Sequence, residues 1–264
     1  MSVDRIARAR RCVVITRPAH EAQRLAALIR EAGGEPLLFP VIEILDPADA
    51  VPLEETIARL DTFDLAIFIS PSAVEKAMTR ISTRRALPTG LRCAAIGPGG
   101  ARALAHFGVA KVIVPDEHAP SHDSESLLAT GYLLNVRGKR IVIFRGDGGR
   151  ELLRDTLAAR GAYVQTVACY RRALPALDPA PLLQAWGHGA VAAVIITSSE
   201  GLRNLCTIVG EAGKSHLRET TLVAPHPRIA ESAHALGLQR VLVSGAGDEA
   251  LAQTVARQVF AASG

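Results

Sequence analysis

Groups that hold anions recur in this chain at one kind of position, where an apolar run stops and a helical pattern begins. In "IVIFRGDGGRELL" (141–153) the run ends at Arg145, and Gly146, Gly148 and Gly149 follow before the helical pattern. Such a loop, opening a helix, offers an anion backbone N–H groups and the positive end of a helix dipole, with a guanidinium beside them. Arg17-Pro18 stands at the corresponding place after "VVIT". Ser70 and Ser72 close another apolar run in "FISPSAV", and Thr197, Ser198, Ser199 and Glu200 close its counterpart in "IITSSEGL". His226 and Arg228, in "PHPR", put a cationic pair at a third helix start. Anion recognition is the chemistry these types share. Each also has a plainer reading: the hydroxyls are ordinary N-caps, and an arginine at a strand end satisfies carbonyls.

Spacing argues against several other chemistries. "GKS" at 213–215 lacks a P-loop's leading glycine, since Ile208 stands there, and a helical pattern precedes it where a strand is required. "GDGG" does not have G-x-G-x-x-G spacing, and no G-x-S-x-G follows a strand. His118 and His122 are separated by Pro120, which breaks the helix a metal pair at that spacing needs, so no metal site is expected. Cys12, Cys93, Cys169 and Cys206 form no C-x-x-C pair and read as small core residues in a reducing compartment.

A length of 264 residues admits two small domains or one large one, and 48% hydrophobic residues are ample for their cores. The formal charge of +4 suits a polyanionic small molecule but is too modest to argue for nucleic acid. No apolar run approaches the ~18 residues that a membrane span requires. "MSVDRIARARR" is basic without a following hydrophobic stretch, so no secretory signal is expected. The expectation is a soluble cytoplasmic protein with neither a membrane nor a nucleic-acid partner.

An internal repeat supplies the elements that position these groups. One constant offset pairs Arg17 with Arg145, Leu25 with Leu153, Ile29 with Leu157, Gly33 with Gly161, and Ser70 with Ser198. One inserted residue later, "AHFGVAKVIV" matches "HALGLQRVLV". Several segments in one order at nearly one spacing indicate duplicated halves. Apolar runs at 12–16, 64–69, 91–96 and 111–114, and again at 140–144, 191–197, 220–224 and 240–243, read as buried parallel strands. Helical patterns separate them, such as Leu25, Leu28, Ile29 and Ala32, which Gly33-Gly34 stops. That alternation predicts an α/β fold with two parallel sheets, each covered by helices. The segments 36–44, with Pro36 and Pro40, and 164–172 read as edge or bridging strands.

Taken together, "ITRP", "FISPSAVEKA", "IGPGGARAL", "RGDGGRELL", "CYRR", "TSSEGLRNL" and "PHPRIAE", in that order, give a chain that resembles the uroporphyrinogen-III synthases. The resemblance implies two parallel-sheet α/β domains joined by a two-stranded β ladder, with the first strand–helix unit exchanged. Residues 1–37 with 172–264 would form one domain, 42–166 the other, and 36–44 and 164–172 the ladder. It implies cyclisation of hydroxymethylbilane to uroporphyrinogen III, with inversion of the terminal ring and loss of water. The pyrrole nitrogens stabilise the cation that forms, so neither metal nor cofactor is implied. Tyr170, in "CYRR", matches the family tyrosine favoured as donor to the departing hydroxyl; its other reading is a ring that anchors the hinge. Arg17, Arg145, Gly146, Ser70, Ser72, Thr197, Ser198, Ser199, Glu200, His226 and Arg228 become candidate substrate contacts. Gly97 joins them as a backbone contact, because Gly100 and Arg228-Ile229 stand where many relatives carry threonine. A monomer is expected, and hydroxymethylbilane synthase would supply its substrate. A non-catalytic two-lobe protein binding a tetrapyrrole or another small polyanion is the competing reading.

Overall fold

Short β-branched and alanine-rich runs alternate with amphipathic stretches, and the computed structural model, which describes residues 12–116 and 123–261, turns that alternation into strands and helices. In chain order these are β1 (Cys12–Ile15), α1 (Ala19–Glu31), β2 (Glu35–Leu38), β3 (Glu43–Leu45), α2 (Val51–Ala58), β4 (Leu65–Phe68) and α3 (Pro71–Ser82). There follow β5 (Arg92–Ala95), α4 (Pro98–His106), β6 (Val112–Ile113), α5 (Ser124–Leu128), α6 (Gly131–Leu134), β7 (Arg140–Gly146), α7 (Leu152–Ala159) and β8 (Tyr163–Ala173). Next come α8 (Ala180–Gly187), β9 (Val191–Ile195), α9 (Ser199–Glu219), β10 (Thr221–Ala224), α10 (Pro227–Ala235), β11 (Val241–Val243) and α11 (Asp248–Thr254), which runs on into a π-helical segment, Val255–Phe260. The basic N-terminal residues and the His118–Pro120–His122 stretch lie outside the described residues.

The chain forms two compact units: an inner one, Ile44–Arg172, and an outer one made of the chain on either side of it. The outer unit holds a five-stranded sheet in the order β11-β10-β9-β1-β2, with every neighbouring pair parallel. β1 therefore lies beside β9, from the far end of the sequence, with Val14 opposite Val194. The inner unit holds a six-stranded sheet, β3-β8-β7-β4-β5-β6, in which β7–β8, β4–β7, β4–β5 and β5–β6 are parallel. Under the offset that aligns Arg17 with Arg145, β1 corresponds to β7, β9 to β4, β10 to β5 and β2 to β8, so the order of the outer sheet matches five strands of the inner one, which adds β3 at an edge.

Alternation along each strand feeds two cores, one on each face. In the inner unit Ala66, Phe68, Val142 and Phe144 join one cluster, whereas Leu65, Ile67, Ile141 and Ile143 join the other. In the outer unit Val14, Val194 and Leu222 face one way, and Val13, Ile15, Ala193 and Val223 the other. The helices bring matching stripes; α3 buries Ala73, Val74, Ala77, Met78 and Ile81. "GKS" lies inside α9, a helix broken at Gly210.

Two expectations need correction. The segment 36–44 is two strands, not one. Pairing in β2 stops at Leu38, and Pro40 has no N–H to continue it. Phe39 and Val41 instead donate to the carbonyls of Ile15 and Thr16, at 2.9 and 3.0 Å, before β3 starts in the other sheet. β2 and β3 each lie at the edge of a sheet, as an edge strand should, but of the two readings of 164–172 the edge one fails, because β8 runs between β3 and β7.

Asp64 ties the start of β4 to both its neighbours. Its carboxylate accepts the Arg140 N–H at 2.8 Å and the Lys139 ammonium at 3.0 Å. Its own N–H donates to the Arg140 carbonyl at 2.8 Å, and its carbonyl accepts the Arg92 N–H at 3.0 Å. The Arg140 N–H, and then Lys139, hold the Asp64 carboxyl below the usual carboxylate range. A depressed carboxylate stabilises the fold above its unfolded pKa of about 3.9, and the contribution disappears as pH falls through the lower folded value. Asp64→Asn is therefore expected to cost about 1 kcal/mol at pH 7, an amount kept small by solvent screening. Urea midpoints of variant and wild type should converge below pH 4; a gap unchanged from pH 7 to pH 3 would assign the effect to something other than the charge.

Candidate active site

In a parallel sheet the carboxyl ends of all strands lie along one edge, where ligands of α/β proteins bind. In the inner unit that edge carries Ser70 after β4, Gly97 after β5, Gly146 at the end of β7 and Tyr170 towards the end of β8. Three of these meet. The Tyr170 hydroxyl lies 3.1 Å from Ser70 Oγ, and its ring lies against Gly146, where a Cβ would stand 2.9 Å from ring carbons. Tyr170 is only 1% exposed. Ser70 is also the N-cap of α3, its Oγ accepting the Ala73 N–H at 3.0 Å.

The backbone aims Tyr170 there through a bulge. Arg145 pairs with Ala168, but Gly146 pairs with Tyr170, so Cys169 is an extra residue on β8. The Cys169 thiol, fully buried, donates to the Arg145 carbonyl at 3.3 Å and lies 3.6 Å from that of Ala73. Burial pushes this thiol up to about 12, which keeps it protonated as a donor. The Tyr170 carbonyl accepts the Asp147 N–H at 2.9 Å, closing the turn. The guanidinium of Arg172 stands 6.0 Å over the Tyr170 ring. Ser72 is buried in the first turn of α3, and Gly97 caps α4 with an extended backbone. Gly100 packs on β5, where a Cβ would come 3.0 Å from that of Ala95.

The opening loop departs from expectation. Gly146 belongs to β7, and α7 starts only at Leu152, behind an acidic N-cap residue, Glu151. Gly148 and Gly149 take positive φ (68° and 104°) that fold the loop back over Arg145. Arg145, 7% exposed, donates to the Gly148 carbonyl and pairs with Glu151 at 2.9 Å. The guanidinium thus braces its own loop, and the glycines do not form the helix N-terminus foreseen for an anion. Arg145 Nε is buried with no acceptor among the described residues.

The outer unit repeats the edge with different partners. Arg17, after β1, pairs with Asp248 at 2.7 Å, so an anion there would have to compete with a resident carboxylate. Ser198 caps α9 through the Gly201 N–H at 2.9 Å, as Ser70 caps α3. Ser199 lies 2.8 Å from Ser232 Oγ, whose own proton goes to the Arg228 carbonyl, so Ser199 is the donor and the first turn of α9 is linked to the second turn of α10. Thr197 and Glu200 flank these serines and are half-buried. His226 is the N-cap residue of α10 without a side-chain cap bond, and both it and Arg228 are exposed.

Sequence reasoning missed Glu151, Asp248, Ser232 and the role of Cys169. Glu151 alone had a local signal, being a carboxylate on the turn after Arg145. Among the described residues no group of three or more His, Cys, Asp or Glu is placed to hold a metal ion.

Comparison with known proteins adds what geometry alone does not. The profile of the family described as uroporphyrinogen-III synthase HemD matches residues 23–253. The uroporphyrinogen-III synthase of Escherichia coli (strain K12) is 34% identical over 239 residues, which cover 89% of this chain and 96% of that protein. The Salmonella typhimurium protein of the same name is 33% identical over 238 residues, 89% of this chain and 96% of that protein. The fold is shared with the Helicobacter pylori uroporphyrinogen-III synthetase structure (TM-score 0.57, 15% identity, 93% of this chain and 98% of that one). It is shared too with a mutant uroporphyrinogen III synthase from the extreme thermophile Thermus thermophilus (TM-score 0.55, 22% identity, 93% and 97%).

Proposed function

Because the chain belongs to the uroporphyrinogen-III synthase HemD family, we propose that it cyclises hydroxymethylbilane to uroporphyrinogen III, inverting the terminal ring and releasing water. The observation that carries this reading is the relationship to the Escherichia coli enzyme, which runs along nearly the whole of both chains. The same reading takes the two units as the family's two domains, products of one duplication, which the shared strand order supports.

The substrate is a linear tetrapyrrole rich in carboxylates. Loss of its hydroxyl leaves an azafulvenium cation that the adjacent pyrrole nitrogen stabilises, and the far-end pyrrole attacks through its substituted carbon to give a spiro intermediate. Fragmentation and reclosure then yield the inverted ring. Holding the chain ends in that geometry is the larger part of catalysis, where positioning contributes several kcal/mol or more. Tyr170 is the proposed donor to the departing hydroxyl, a role supported by its place at the carboxyl edge and by its hydroxyl partner Ser70. That role requires the substrate to reach a hydroxyl that faces Ser70 in the structure. Carboxylates are proposed to bind at the backbone N–H groups of the turns at Ser70, Ser72, Gly97 and Gly146 in one unit, without using the Ser70 hydroxyl, and at Arg17, Thr197, Ser198, Ser199, Glu200, His226 and Arg228 in the other. Arg145 serves them indirectly, by holding its loop. The reading includes a monomer, in the cytoplasm, supplied by hydroxymethylbilane synthase.

Turnover separates this from non-catalytic binding. Substoichiometric protein should consume a large molar excess of hydroxymethylbilane in metal-free buffer. Consumption at the spontaneous rate, with a stoichiometric complex, would establish a binding protein instead.

A further inference from the structure

We infer that Ser70 and Gly146 are positioning residues for Tyr170: Ser70 fixes the phenol's hydroxyl and Gly146 provides the space its ring occupies. The inference rests on the cyclase reading and assigns how the proposed donor is held. Ser70 Oγ lies 3.0 Å from the Ala73 N–H and 3.1 Å from the Tyr170 hydroxyl. With the Ala73 N–H on one lone pair, Ser70 keeps its proton and a second lone pair, so either hydroxyl can donate across the 3.1 Å contact; in the inferred arrangement Ser70 donates, which leaves the Tyr170 proton for the substrate's leaving oxygen. As the C–O bond breaks, that proton leaves with the hydroxyl as water and the substrate keeps the cation. The phenolate so formed accepts the Ser70 proton's hydrogen bond, and Ser70 in turn is polarised by the N-terminus of α3, a twelve-residue helix. The proton lost by the pyrrole ring at closure returns to Tyr170, so the cycle balances.

Gly146 acts by shape. Its backbone is not in the left-handed region, yet a Cβ there would lie 2.9 Å from Tyr170 Cε2 and Cζ and 3.2 Å from the hydroxyl. Alanine at 146 must push the ring, and with it the hydroxyl, away from Ser70. The bulge at Cys169 leaves little freedom for β8 to absorb the shift, since the thiol and the Asp147 N–H fix both sides of the tyrosine.

The test is a double-mutant cycle on Ser70 and Tyr170, read as kcat, KM and isomer ratio. Ser70→Ala is expected to lower kcat about tenfold with KM nearly unchanged, the pattern of an interaction made in the transition state. In a Tyr170→Phe background the same change should cost nothing further. Ser70→Thr, which keeps the hydroxyl, should recover most of the rate, and Gly146→Ala should lower kcat with the fold intact by circular dichroism. Multiplying effects of Ser70→Ala and Tyr170→Phe, or a rise in KM alone, would overturn the inference and make Ser70 a substrate contact. Wild-type protein that makes no isomer III would instead remove the cyclase reading, which the first arm of the experiment decides.

Discussion

Tyr170→Phe is expected to lower kcat about a hundredfold while leaving the protein folded, near the lower end of what a positioned proton donor contributes. The low end is appropriate because the substrate's own pyrrole nitrogen drives the ionisation, and the donor assists rather than initiates it. The phenyl ring keeps the packing against Gly146 and within the core cluster that contains Phe68 and Phe144. Only the hydroxyl and its bond to Ser70 are lost, at a cost of about 1 kcal/mol in stability. Steady-state rates and a urea melt on the same preparation separate the two effects. Near-normal turnover with an intact fold would remove Tyr170 from the chemistry and leave its ring as a structural anchor.

The largest effect on stability is expected at Phe144. Its ring stacks on Phe68 with centroids 5.0 Å apart and an interplanar angle of 16°, and both residues are fully buried. Phe144→Ala removes a large side chain from the middle of a sheet that pairs on both sides, so the cavity cannot collapse readily. A cost of about 3–5 kcal/mol follows, part of it from the lost aromatic pair. Against typical stabilities of roughly 5–15 kcal/mol, that loss brings the inner unit close to unfolding. The urea midpoint by far-ultraviolet circular dichroism should fall by roughly 1–3 M. An unchanged midpoint would mean that this core is not where the unit's stability resides. Activity should fall with it, since Phe144 immediately precedes Arg145 and Gly146 on β7.

Much of the fold is legible because burial on both faces leaves an unbroken apolar run, and "LAIF", "IVIF" and "VAAVI" are such runs. The 36–44 stretch misled because its apolar residues continue past Leu38 although the paired register of β2 does not; Pro40 interrupts it, but the switch of sheet leaves no local trace. The site is less legible. Ser70 and Ser198 are readable as caps, and both caps are present. The partner of Ser70 is a hundred residues away, and nothing in either segment names the other. Arg145 and Arg17 read as cations awaiting an anion, but Glu151 and Asp248 already meet them, one six residues downstream and one at the far end of the chain. Charge type survives in a sequence; the pairing that decides what a charge is for does not.

The most direct measurement is the isomer produced. Hydroxymethylbilane, generated in place and exposed to the purified protein, gives products that can be oxidised and separated as uroporphyrin III and uroporphyrin I. Isomer III in large excess, formed without added metal or nucleotide and faster than spontaneous closure, is the expected result. Isomer I alone, at the spontaneous rate, would contradict it.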